Sequence, residues 1–266
     1  MVSRLLVCAL FLLAVPARGE PQRQLCLSCH SNHYAGRGTC SDCHRGNPAS
    51  ERKNIAHAGL RAGKFVRFTL GDVAQQRAGE RLLAQLACRR CHVSAGRGNG
   101  LATSLDVSAA RKTVGELALS IRQPVASMPK FGLDDERITM LINSIFTGSE
   151  GRAMDKAVPL KVHFNNSGTK NEDIFSKKCG SCHRTLTERL GALGMGNSGP
   201  NLSGLFSQYY PKTFKNGETW TARNLADWLK NPRNIQMWAR MQPVVLTERE
   251  MAELVTIFPV SPEPVQ

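Results

Sequence analysis

Between residues 71 and 148 the apolar positions fall at helical spacing. Leu82, Leu83, Leu86 and Ala87 mark one face of a helix predicted over residues 72–88, which runs directly into Cys88. Thr113-x-x-Glu116 is a capping-box pattern that opens a second, short helix, and Pro124 ends it. Ile138, Leu141, Ile142, Ile145 and Phe146 recur at i, i+3, i+4, i+7 and i+8 and predict a third. The same order returns after residue 171. A helix with Ile174 and Phe175 leads into Cys179, and a helix over residues 222–230 stops before Pro232. A last helix, opened by Thr247-x-x-Glu250, carries Met251, Leu254, Val255 and Phe258. Similar order twice predicts an internal duplication with diverged loops. Residues 20–70 are instead rich in Gly, Ser and Asn with little helical periodicity, and predict loops. Residues 149–170 hold Gly151, Pro159 and Gly168 and read as a linker.

The first nineteen residues differ from all of these. Arg4 is followed by an apolar run from Leu5 to Val15 and then by Ala17-Arg18-Gly19. That is the layout of a secretory signal peptide over residues 1–19, too short in its apolar run to span a bilayer comfortably.

Cysteine usage changes the picture most. Of nine Cys, Cys8 lies in the signal segment. The other eight form Cys26-x-x-Cys29-His30, Cys40-x-x-Cys43-His44, Cys88-x-x-Cys91-His92 and Cys179-x-x-Cys182-His183. C-x-x-C-H is the attachment signature of c-type haem. The two thiols add to the porphyrin vinyl groups, and two intervening residues on a helical turn put both sulfurs on one face. The His that follows becomes an axial ligand of the iron. Taken alone, Cys26, Cys29, Cys40 and Cys43 would also suit a zinc site. His follows the second Cys in all four motifs, however, in a chain with seven His. That coincidence favours four covalent haems c, with His30, His44, His92 and His183 as proximal ligands. No thiol is left for a structural disulfide or a nucleophile. With 6% aromatic residues the peptide core is thin, so the porphyrins are expected to supply much of the buried apolar surface.

The distal ligands need a separate argument. His33 lies three residues after His30, on the same side of a short turn, and cannot reach the opposite face of its own haem. Its natural target is the neighbouring iron of His44, which leaves His57 for the iron of His30. No Met lies between Pro21 and Phe68 to compete. His163, in the linker, reads as solvent-exposed.

Residues 71–148 and 171–266 resemble class I cytochromes c, which wrap one haem with three helices. The resemblance is carried by the helix–motif–loop–helix–Met–helix order and covers roughly 170 residues. It implies Met128, in Met128-Pro129-Lys130-Phe131, as the distal ligand in the first of these stretches. In the second it leaves Met241 and Met237, of which Met241 stands nearer the closing helix as Met128 does, although Gln242 interrupts the usual Met-Pro. It also implies that the carbonyl of Pro200, in Gly199-Pro200-Asn201-Leu202, accepts the His183 Nδ1–H; residues 71–148 offer no equivalent proline. Residues 20–70 resemble part of the bis-histidine multihaem cytochromes of the c3/c7 kind. The expected fold is thus mainly α: a haem-templated, loop-rich dihaem module followed by two small three-helix cytochrome c-like domains.

Charge matters less than its size implies. The formal +14 falls to +12 without Arg4 and Arg18, and to roughly +4 once four haems bring their propionates. A nucleic-acid partner is therefore not expected. A modestly basic surface suits docking onto acidic redox proteins or anionic membrane surfaces. The resemblances imply a periplasmic or otherwise exported electron carrier that works with other cytochromes, quinol-oxidising complexes or terminal reductases. Two other readings stay open. One is a haem enzyme, a peroxidase or small-molecule reductase with one five-coordinate iron, since tandem class I-like domains occur in dihaem peroxidases. The other is a cytochrome subunit of a membrane quinol or dehydrogenase complex.

Overall fold

The computed structural model describes residues 24–71, 73–125, 127–152 and 173–260. The expected signal peptide, most of the expected linker and His163 lie outside these residues. The described chain is mainly helical, with one two-stranded antiparallel sheet. It forms two compact units, one ending at Ala58 and one beginning at Gly59.

The first unit holds two short helices, α1 (Cys40–His44) and α2 (Lys53–Ala56), joined by turns. Thr39 and Asp42 close a capping box at the start of α1, with the Thr39 N–H donating to Asp42 Oδ2 at 2.6 Å. Backbone bonds from Leu25 N to Pro48 O and from Asn47 N to Ala56 O, both 2.9 Å, tie the turns together. None of its described residues is buried. A chain of this length cannot order itself on so little peptide core, so burial against a large apolar group would supply what is missing.

The second unit contains two cores. Around the first stand α3 (Val73–Gln85), α4 (Leu105–Arg111), α5 (Val114–Arg122) and α6 (Asp135–Ser149). Leu83, Ile138, Ile142 and Phe146 are essentially inaccessible at its centre. α3 crosses α6 at Gly79, where a Cβ would meet the Met140 carbonyl oxygen at 2.5 Å. Phe65 and Phe68, placed by the sequence reading in the loop-rich stretch, are buried here, and the Phe68 and Phe146 rings lie 5.7 Å apart. α5 begins and ends as its capping box and Pro124 require. α3 stops short of residue 88 because Ala87 takes a left-handed conformation, φ 51°, that turns the chain into the Cys88 motif.

The second core gathers α7 (Ile174–Lys178), a hairpin of β1 (Thr185–Thr187) and β2 (Gly191–Leu193), α8 (Ala222–Lys230), α9 (Pro232–Ile235) and α10 (Glu248–Val255). Phe175, Leu205, Leu229, Leu254 and Phe258 fill it, and Phe206 and Phe175 each meet the Phe258 ring edge-on. Asn231 caps α9, whose first residue is Pro232. The order helix, motif, helix, Met, helix thus occurs in both halves of this unit.

Candidate functional site

Each C-x-x-C-H sequence folds as a single helical turn. In α1 the residues Cys40, Cys43 and His44 are helical outright. In the other three the N–H of the His donates to the carbonyl of the first Cys: His30 to Cys26 at 3.0 Å, His92 to Cys88 at 3.0 Å and His183 to Cys179 at 2.9 Å. Residues at i, i+3 and i+4 then share a face, which brings two thiols and an imidazole to one side of the backbone. None of the described Cys is in a disulfide. Among the described residues no group of three or more His, Cys, Asp or Glu is arranged to hold a bare metal ion. Two thiols and an imidazole on one face suit two sulfurs bonded to a prosthetic group and an imidazole on its metal.

The motif imidazoles of the second unit are aimed by backbone carbonyls. His183 Nδ1 stands 2.8 Å from Pro200 O, and His92 Nδ1 stands 2.7 Å from Thr103 O. A carbonyl only accepts, so Nδ1 carries the proton in both and Nε2 presents its lone pair. The first bond is the one the class I resemblance implies. The second was not visible in the sequence, because a main-chain carbonyl leaves no mark on residue identity. Burial lowers the His92 pKa and keeps the ring neutral, the state in which it can ligate. At His183 the space is set by Gly199, where any Cβ would collide with the imidazole.

Burial pushes the Cys88 and Cys179 thiols up to about 11, whereas hydrogen bonds from Ser198 and Ser181 lower Cys182, which is exposed.

In the first unit the structure brings the four His together as two pairs. His33 Nε2 lies 3.4 Å from His44 Nε2, with ring centroids 5.6 Å apart. His57 faces His30 with centroids 5.9 Å apart. The pairing is crossed, His33 meeting the motif that follows it and His57 the farther of the unit's two motifs. In each pair one ring is exposed (His30, His33) and the other half-buried (His57, His44), and an open groove is lined by Leu27 through Asn32.

Met128 is half-buried in the extended segment between α5 and α6. The two Met of the last stretch are in opposite situations. Met237 is 81% exposed, while Met241 packs against the second core, its Sδ receiving the Trp228 Nε1–H at 3.1 Å.

The two variable residues of the third motif point in opposite directions. Arg89 is buried and forms a bidentate pair with Glu80 on α3, at 2.6 and 3.2 Å. Arg90 reaches the other half of the unit, donating from Nη1 to Asn201 O at 2.9 Å. No sequence signal singled out either contact.

A family model described as "Cytochrome C oxidase, cbb3-type, subunit III" matches residues 74–143. The matched stretch contains Cys88, Cys91, His92 and Met128. No curated protein and no solved structure matches the chain. The match supports a c-type cytochrome with covalently bound haem c and its iron, acting in haem-based electron transfer within a redox chain or complex. Among the described residues, no helix is long and apolar enough to cross a membrane.

Proposed function

We propose that the chain is an exported tetrahaem cytochrome that carries electrons between redox partners, with two bis-histidine sites in its first unit and two His/Met sites in its second. The observation that carries this reading is the crossed pairing of His33 with His44 and of His57 with His30. Each pair sets a second imidazole beside the His of an attachment turn. Such pairs are what two six-coordinate irons require.

Haem supplies reversible one-electron uptake at iron. The residues do the rest. Cys26, Cys29, Cys40, Cys43, Cys88, Cys91, Cys179 and Cys182 anchor the four groups, and His30, His44, His92 and His183 offer the proximal nitrogen. His57 and His33 fill the distal positions of the first unit, and Met128 and Met241 those of the second. The partly buried Met241, rather than the exposed Met237, fits a ligand held against the second core. A thioether ligand favours the reduced iron more than an imidazole does. The first unit is therefore the low-potential end and the second the high-potential end. With these residues as ligands no iron would be open to substrate, which favours a carrier over a peroxidase or reductase.

The test is a redox titration of the purified holoprotein with resolved spectra. Two lower and two higher potentials are expected, together with the thioether-to-iron charge-transfer band of the oxidised form. Four indistinguishable potentials and no such band would overturn the reading. So would rapid binding of carbon monoxide to the reduced protein, which needs an open iron.

A further inference from the structure

The two halves of the second unit meet at residues 200–203, and this short segment touches the ligand apparatus of both. Pro200 O accepts the His183 Nδ1–H at 2.8 Å. Asn201, the next residue, makes contacts in three directions. Its side-chain Nδ2 donates to Ser127 O at 2.8 Å, the carbonyl immediately before Met128. Its Oδ1 accepts the Ser203 N–H at 2.9 Å, which fixes the amide orientation and leaves Nδ2 facing Ser127. Its main-chain oxygen accepts both Arg90 Nη1, at 2.9 Å, and Tyr210 Oη, at 3.2 Å. Arg90 stands between Cys88 and Cys91. Ser203 is fully buried, its Oγ accepting the Leu186 N–H at 2.7 Å, and Asn99 Nδ2 donates to Ser207 Oγ at 2.8 Å alongside.

We propose that Asn201 is a shared positioning residue. Through Ser127 it sets the segment that carries Met128, and through its backbone it sets the Pro200 carbonyl that aims His183. The two sites are then coupled, because one residue holds the segment of Met128 by its side chain and adjoins, by its main chain, the carbonyl that accepts the His183 Nδ1–H. A displacement of Met128 is felt at His183, and a change in the strength of the His183 Nδ1–H bond is felt at Met128. The proposal rests on the reading that Met128 and His183 are axial ligands.

Asn201→Asp separates this role from bulk packing. The aspartate has the same shape and still accepts the Ser203 N–H, but it turns an oxygen towards Ser127 O and loses the donor. Arg90→Met keeps the aliphatic stem and removes the donor to Asn201 O, and Arg90→Lys restores one. The fully loaded protein and these variants are compared by the upfield methionine methyl signals of the reduced form and by site-resolved reduction potentials. The methyl signals are assigned by loss in Met128→Ala and Met241→Ala. Asn201→Asp is expected to move the Met128 signal and to shift the potentials of both second-unit sites, with haem content unchanged. Arg90→Met should shift both potentials, and Arg90→Lys should recover part of that shift. If the wild-type protein shows a Met128 signal and Asn201→Asp changes neither site or only one, the coupling is refuted while the ligation stands. If the wild-type protein shows no Met128 signal, the ligation and the coupling both fall.

Discussion

On the proposed ligation, the sharpest consequence of the first-unit geometry is that each distal histidine answers for one iron and not the nearer one in sequence. An iron–imidazole bond is taken as similar to the roughly 2.0–2.1 Å of a metal–His bond, so two imidazoles on one iron hold their Nε2 atoms about 4.0–4.2 Å apart. The His33–His44 separation of 3.4 Å needs to open by only about 0.6–0.8 Å to reach that span. Rotation about side-chain torsions covers such a distance without moving the backbone. His33→Ala should therefore leave the iron of His44 five-coordinate, and His57→Ala that of His30. Each single variant is expected to move about a quarter of the low-spin intensity to high spin, and the double variant about half. Electron paramagnetic resonance of the oxidised protein reads these fractions directly. The crossing is read by adding Cys40→Ala/Cys43→Ala, which removes the second site. In that background His33→Ala should produce no further high-spin iron, while His57→Ala still should. High-spin iron appearing with His33→Ala in that background would refute the crossed arrangement. Single variants that leave all irons low-spin would refute both histidines as ligands.

Three further outcomes follow from the second unit and the helix ends. Met241→Ala should abolish one thioether signal and lower one high potential, whereas Met237→Ala, at a side chain 81% exposed, should leave the spectra and midpoint potentials unchanged. Gly199→Ala places a methyl group against the His183 ring and should cost about 1–3 kcal/mol, seen as a lower unfolding temperature and as reduced low-spin content at one site in four. Glu116 and Glu250 are held below their ordinary 4.5 first by the backbone N–H of Thr113 and Thr247. Folded-state values below unfolded ones mean that their contribution is complete above about pH 4.5 and is lost as pH falls through the folded values. Glu116→Gln and Glu250→Gln should therefore flatten the acid limb of stability against pH, measured by thermal unfolding across that range, and an unchanged slope would discount the capping boxes.

How far residues alone carried the picture depended on whether the determinant was local. Thr113 and Glu116, Pro232, and the apolar spacing from Ile138 to Phe146 act within one or two turns, and the helices they specify stand where that spacing put them. α4 was not anticipated because its buried positions, Ser108 and Ala109, are small and its N-cap, Ser104, lacks an acidic partner at the third position. The β1–β2 hairpin is too short for a period-2 pattern to register. The helix into Cys88 ended early at Ala87, a left-handed residue with none of the glycine signal that usually marks one. At the site, the Cys and His types and spacings point to one attachment chemistry because bond formation to the group demands particular atoms, and the cytochrome c family model matches over Cys88, Cys91 and His92. The orienting partners did not show. Thr103 acts through a carbonyl that every residue possesses, and Arg90 and Asn201 meet across more than a hundred residues of sequence.

The most direct test of the account is a count of covalent haem on the purified mature protein, by intact mass and pyridine haemochrome, joined to electron paramagnetic resonance of the same sample. The account predicts four haems per chain, no titratable thiol, and two bis-histidine and two His/Met low-spin species. Fewer than four haems, free thiols at any of the eight cysteines, or a high-spin resting iron would contradict it.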